Sequence, residues 1–317
     1  MKLATLNDGS RDGQLVVVSR DLVTAHYATG IASHVQQVLQ DWNFLAPQLQ
    51  DLYDTLNYGK ARHAFPLDVR QCMAPLPRAY LLAVGDAFAR PDTPVGAPLR
   101  LAFADGLLGA CAPLSWAHAA QQPDFEAAVA VITGDVPQGA SPTQTLDGVR
   151  LLALACHGVD RAWQAQPPLA LMAQPNTAFS PVAVTPDELV WGGESAWSQG
   201  RLNLTLQCNL NGRQLGWCEA GSDMTAHFGE LMAQLCRVRR LRAGSIISAG
   251  EVRNLGASRG SCSVATRCAQ ELAQNGQCPT PWLAQGDTVW IDMKGRDGQS
   301  VFGAIDQDVQ IGPQVVA

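Results

Sequence analysis

The sequence predicts an α+β protein whose larger part is built from strands. Runs in which side chains alternate with a two-residue period recur at residues 124–135, 149–157, 202–208 and 288–293, the pattern of buried or half-buried strands. Only a few stretches, such as 31–56, 225–242 and 263–275, carry apolar residues at helical spacing or a helix stop. The strands are joined by long connections. A chain of 317 residues that is 47% hydrophobic can supply the core of one large domain and a smaller one.

In chain order, residues 3–6 and 15–18 predict a hairpin across Asn7-Asp-Gly-Ser-Arg-Asp-Gly13. Ile31, Val35, Leu39 and Trp42 share a helical face, and Pro47 is expected to start a second segment whose Leu49, Leu52 and Leu56 extend the stripe. The stiff connector Ala74-Pro-Leu-Pro77 divides a small N-terminal α/β module, 1–75, from the main domain, 76–317. Residues 91–115, rich in Pro, Gly and Ala, predict irregular structure.

The strand Asp124–Asp135 follows, with Phe125, Ala127, Val129, Val131 and Thr133 on one face and Glu126, Ala128, Ala130 and Ile132 on the other. A single carboxylate on a small, apolar face is costly to bury without a partner, so Glu126 is the first candidate for a site. Residues 149–157 alternate again and place His157 on the face of Val149, Leu151, Ala153 and Ala155. Residues 163–175 show no period. Residues 178–184 and 202–208 predict strands, and Asn211-Gly212 a hairpin turn. A helix is expected over 225–242 behind Ser222-Asp223 as its cap, and another over 263–275 stopped by Gly276. Strands at 288–293 and 301–305 close the chain.

A net charge of −6 and a pI near 5.5 argue against a nucleic-acid or anionic-membrane surface. The basic run Arg237, Arg239, Arg240 and Arg242 suits the negative end of a helix dipole. No apolar run reaches membrane-spanning length, and Met1–Thr5 leads into Asp8-Gly9 rather than an apolar signal core, so a cytoplasmic protein is expected. Nine cysteines, with no Cys-x-x-Cys pair, predict reduced, packed thiols. The six histidines form no zinc motif. Gly256-Ala-Ser-Arg-Gly260 has the letters of a nucleophile elbow, but the segment before it is too polar for the strand such an elbow needs.

Five pieces then carry a resemblance: Asp124-Phe-Glu126; Thr177–Leu189 with its Ala-Phe-Ser-Pro core; Asp223-Met-Thr225 with Phe228-Gly229; Leu241–Ile247 with its Gly-Ser-Ile; and Gly286-Asp-Thr-Val289 followed by Phe302-Gly-Ala-Ile305. In this order they resemble the fumarylacetoacetate hydrolase family through nearly the whole chain, and bacterial fumarylacetoacetase-like hydrolases in particular. The resemblance implies a mixed β-roll core, usually a homodimer, that binds Mg²⁺ or Mn²⁺. It implies a small keto-acid or dicarbonyl ligand whose carbon–carbon bond is hydrolysed, or which is decarboxylated or isomerised, with the metal acting as Lewis acid.

Against that pattern several positions depart. The family's metal ligands form a Glu-x-Glu strand face plus an Asp from the next strand, hard oxygen donors suited to Mg²⁺. Here Glu126 matches the first, Ala128 replaces the second, and His157 stands where the Asp is expected. The family lysine that steadies an anionic substrate is Gln174, and the substrate-side Gly-Thr reads Gly250-Glu251. No histidine stands in Gly85–Arg90 as general base, and the segment after His157 is short for a lid.

Each candidate therefore has two readings. Glu126 is a surviving ligand or a relic held by hydrogen bonds. His157 ligates a softer ion such as Zn²⁺, Mn²⁺ or Fe²⁺, or is a satisfied core histidine. Glu251 is a replacement carboxylate or points elsewhere. Asp223 and Asp287 read as a cap and a turn residue, and Cys156 as a buried thiol rather than a nucleophile. The function follows the same fork. One branch is a family hydrolase with altered metal chemistry, and the other is an inactive relative serving as a binding or subunit-partner module.

Overall fold

The computed structural model describes residues 1–88, 98–116 and 122–312. The N-terminal third opens with β1 (Lys2–Leu6), β2 (Gln14–Val18) and β3 (Thr24–Tyr27), followed by α1 (Val35–Gln40), α2 (Trp42–Asn57) and the two-residue β4 (Phe65–Pro66). Next come β5 (Leu81–Gly85), β6 (Leu99–Ala102), β7 (Leu114–Trp116), β8 (Pro123–Thr133), α3 (Pro142–Leu146), β9 (Val149–Asp160) and α4 (Arg161–Gln164). After β10 (Asn176–Phe179) and β11 (Val182–Val184), two small hairpins form from β12 (Val190–Trp191) with β13 (Glu194–Ser195) and from β14 (Trp197–Ser198) with β15 (Arg201–Leu202). The chain ends with β16 (Thr205–Leu210), β17 (Arg213–Glu219), α5 (Phe228–Cys236), β18 (Ser245–Glu251), α6 (Val264–Asn275), β19 (Thr288–Met293) and β20 (Ile305–Ile311).

The main sheet runs β4-β3-β2-β1-β11-β9-β8-β18-β5-β6, with β10 also on β9. It is mixed, because β18 runs parallel to β5 and antiparallel to β8. The N-terminal strands continue this sheet through β1 and β11, with Leu3 opposite Ala183. A second sheet, β17-β16-β19-β20-β7, forms the other layer.

All residues of β8 are buried, because layers cover both of its faces. Phe125, Ala127, Val129 and Val131 share a core with Leu206, Ile291 and Ile305 of the second sheet. Ala128, Ala130 and Ile132 share another with Val35, Leu39, Leu49 and Tyr53 of α1 and α2. The two-faced strand read from the sequence is thus the wall between two cores.

The structure corrects several expectations. Pro47 lies inside α2 rather than at its start. Pro47 is the sixth residue of the helix, past the first-turn amides that lack intrahelical acceptors, so its missing N–H costs the helix one bond, the one to the Asn43 carbonyl. The expected irregular stretch contains β6 and β7, short strands hidden between Pro- and Gly-rich flanks; its residues 91–97 lie outside the described residues. The helix expected over 225–242 is the shorter α5, capped by His227, whose Nδ1 accepts from the Gly229 amide. Asp223 instead accepts from Asn254 Nδ2 and the Leu255 amide. Residues 301–305 do not form the closing strand; Gly303 turns at φ +76° against the Pro181 ring and β20 begins after it.

The thiols are not all reduced, because Cys268 of α6 is bonded to Cys278. Gly276, left-handed at the helix end, folds the chain back between them. Among the described residues no helix is long and apolar enough to cross a membrane.

Candidate functional site

Three strands meet around Glu126. β8 carries Asp124, Glu126 and Ala128 at alternate positions, and β9 sets His157 directly opposite Glu126 and Ala155 opposite Ala128. β18 arrives from the other side with a bulge: Ser248 pairs with Ala130, yet Glu251 pairs with Ala128, so β18 carries one residue more than β8 over this step. The bulge depends on Gly250, at φ +79°, where a Cβ would stand 1.9 Å from the Gly85 carbonyl oxygen. It turns Glu251 toward the Glu126 side, close enough for its charge to act on Asp124 and Arg161.

Glu126 is 4% exposed, and both of its oxygens are taken. Arg161 Nη1 donates to Oε1 at 2.8 Å and Arg100 Nη2 to Oε2 at 2.9 Å. Burial by itself would raise its pKa, but the Arg161 charge and then the Arg100 charge outweigh it and bring the carboxyl down to about 2. Arg161 also holds Asp124, through Nε at 2.8 Å and Nη2 at 2.7 Å. Asp124 in turn accepts the Val264 amide at 2.7 Å and the Ala265 amide at 3.1 Å, orphan donors at the start of α6. Arg161 is placed by α4, whose cap Asp160 accepts from the Ala162 and Trp163 amides. Arg100 reaches in from the edge strand β6.

Glu251 is equally committed. Its Oε2 accepts from Arg253 Nε at 2.8 Å and Nη2 at 2.5 Å, its Oε1 from the Ser263 hydroxyl at 2.7 Å, and Arg253 extends to Asp86 at 3.1 Å.

His157 is fully buried between Ser248 Oγ, 2.8 Å from Nε2, and Thr177 Oγ1 and Gln174 Nε2, 3.0 and 2.9 Å from Nδ1. Burial, reinforced by Arg100 and only partly opposed by Glu126, lowers its pKa to about 3, so the ring is neutral at ordinary pH. Gln174 spends its amide nitrogen on His157 and Thr177, while its Oε1 is buried without a partner. Cys156 points into the opposite core, its thiol pushed far up by burial, and is no nucleophile. Asp287 is a turn residue, accepting from the Ala284 amide at 2.7 Å.

These donors do not fit a divalent cation. Hard-cation sites collect several free oxygens; here Ala128 offers none, and Glu126 and Glu251 face guanidiniums. Both nitrogens of His157 are engaged. Arg100 and Arg161 together bring beside Glu126 the two positive charges an ion would bring, and they would repel it. Among the described residues no group of three or more His, Cys, Asp or Glu side chains is arranged to hold a metal.

The structure therefore brings Glu126, His157, Glu251 and Gln174 into one neighbourhood but not into one coordination sphere. Sequence reasoning missed the residues that complete the site: Arg100, Arg161 and Arg253. Arg161 had a signal, standing four residues after His157 at the exit of an apolar strand. Arg100 had none, since its short strand was itself unread.

A buried polar strand face thus lies within a mixed, strand-rich sheet. Residues 1–78 match the fumarylacetoacetase N-terminal domain 2, and residues 72–310 match the fumarylacetoacetate (FAA) hydrolase C-terminal domain. The chain belongs to the fumarylacetoacetate hydrolase family. Among solved structures, maleylpyruvate hydrolase from Sphingobium sp. SYK-6 aligns at a TM-score of 0.69 and 16% identity over 98% of this chain and 100% of that one. Fumarylacetoacetate hydrolase from Exiguobacterium antarcticum aligns at 0.69 and 16% over 98% and 99%. The 2-hydroxyhepta-2,4-diene-1,7-dioate isomerase from Mycobacterium marinum aligns at 0.63 and 16% over 99% and 100%. At such identities these likenesses carry the fold. No curated protein matches the chain in sequence.

Proposed function

We propose that this chain is a family member that has given up metal-dependent carbon–carbon bond cleavage and acts as a binding or subunit-partner module. One observation carries the reading: both oxygens of Glu126 are held by arginines, at 2.8 and 2.9 Å. The maleylpyruvate hydrolase of Sphingobium was solved with manganese(II) and pyruvate. In this chain Arg100 and Arg161 supply positive charge beside Glu126, and Gln174 offers no ammonium there for an anionic substrate. Family membership supports a homodimer as the assembled form. The alternative of a rebuilt centre on Glu126, His157 and Glu251 requires ligands that are already spent on other groups.

The test is the metal content of the purified protein after dialysis against Mg²⁺, Mn²⁺ and Zn²⁺, with Tm followed in parallel and acylpyruvate and oxaloacetate cleavage assayed. No bound ion, no shift of Tm and no turnover are expected. A stoichiometric ion that raises Tm by mass action, together with turnover, would overturn the proposal.

A further inference from the structure

A second buried ionic region lies on β1, separated from β8 by β11 and β9. There Lys2 of β1 is 3% exposed, and its ammonium donates to the Val301 carbonyl oxygen at 2.9 Å. That is one bond for a group with three N–H donors. Among the described residues no carboxylate stands at ion-pair distance from it. Beside it opens a cleft of about 300 Å³ at the junction of the N-terminal strands and the main domain, walled by Arg20, Glu188, Trp191, Asp297 and Ser300. Junctions of this kind are where small-molecule sites concentrate.

The carboxylates around the cleft already have donors of their own. Glu188 accepts Arg20 Nε at 3.0 Å and the Tyr53 hydroxyl at 2.6 Å. Asp297 accepts the Trp191 indole N–H at 3.1 Å and the Gln299 amide at 3.0 Å. Asp187 sits on the rim, 3.7 Å from the Met1 amine. What is missing is an anion within ion-pair distance of Lys2, on which Glu188 and Asp297 act only from farther off, and a buried cation without a close partner is costly.

We propose that this cleft binds a small organic carboxylate, its charged end taken by Lys2 with Arg20 at the mouth and its carbon skeleton against the Trp191 ring. The cleft's modest volume suits an acid of a few carbons. Burial, reinforced by Arg20, lowers the Lys2 pKa to about 8 even though Glu188, Asp297 and Asp21 pull the other way. Anion binding therefore weakens as pH rises through that value and the amine loses its charge.

The experiment is a titration of the full-length protein with sodium pyruvate and sodium succinate against chloride at matched ionic strength, reading Tm and tryptophan fluorescence. At about pH 7 a saturable rise in Tm is expected, and at about pH 9.5 its loss. Lys2→Met should weaken binding by about tenfold or more while Lys60→Met leaves it unchanged. Absence of any saturable shift at millimolar acid would overturn the proposal. So would an equal shift in Lys2→Met or at both pH values, which would mark non-specific anion binding only. Should Lys2→Met fail to fold, the pH comparison on the unaltered protein decides alone.

Discussion

Two buried ionic regions divide the main sheet, and they are built on opposite plans. Around Glu126 every carboxylate has its guanidinium: Arg161 bridges Asp124 and Glu126, Arg100 takes the second oxygen of Glu126, and Arg253 joins Glu251 to Asp86. Around Lys2 the carboxylates are satisfied but the ammonium is not. Full mutual pairing removes the reason for a charged ligand to enter, whereas an unpaired cation beside a cleft supplies one. The region around Glu126 is thus the sealed one.

The comparison breaks most readily at Arg161. Arg161→Met leaves Asp124 and Glu126 buried with too little positive charge, and a loss of about 3–5 kcal/mol is expected by urea unfolding. A loss below about 1 kcal/mol would mean that water already screens the network.

Acid titration probes the same region without a mutation. Glu126 stays ionised in the folded state down to about 2 against an ordinary 4.5, so the unfolded chain takes up protons first. The stability it contributes is present above the ordinary value and lost as pH falls from there toward 2, about 3 kcal/mol in all. His157, lowered to about 3 from an ordinary 6.5, starts the decline earlier, because the unfolded imidazole protonates while the buried one does not. Glu126→Gln should flatten the lower part of this curve and leave the upper part. A stability curve flat between about pH 6.5 and 3 would contradict the arginine pairing of Glu126 and the burial of His157.

Arg100→Met is expected to cost less, about 2 kcal/mol, since Arg161 still holds Glu126 and Arg100 is about one-third exposed. The smallest change, and the opposite sign, is expected at the other region. Lys2→Met exchanges an unpaired buried cation for an apolar chain and should leave the protein as stable or about 1 kcal/mol more stable. A marked destabilisation there would point to a counter-ion contact that carries the N-terminal strand.

The sequence disclosed the wall of the site better than its contents. The two-residue period of 124–135 assigned Glu126 and Ala128 to the correct face, and the period of 149–157 brought His157 to it, because strand alternation is local. The direction of Glu251 was not legible: it depends on one extra residue in β18, seen only when the strands are paired. The arginines were missed for a related reason. Arg100, Arg161 and Arg253 come from three separate segments, and nothing in their own neighbourhoods tells which carboxylate each will meet. The Cys268–Cys278 bond was hidden likewise by the reversal at Gly276.

That bulge in β18 also limits how the site can be redesigned. Because Glu251 lies directly opposite Ala128, Ala128→Glu alone would set two carboxylates face to face on adjacent strands, where like charges destabilise. Adding His157→Asp and Gln174→Lys would not relieve that clash. A carboxylate at position 128 needs Glu251 and its arginine replaced in the same move. The order of such changes matters, because a carboxylate placed at position 128 first leaves two like charges opposed.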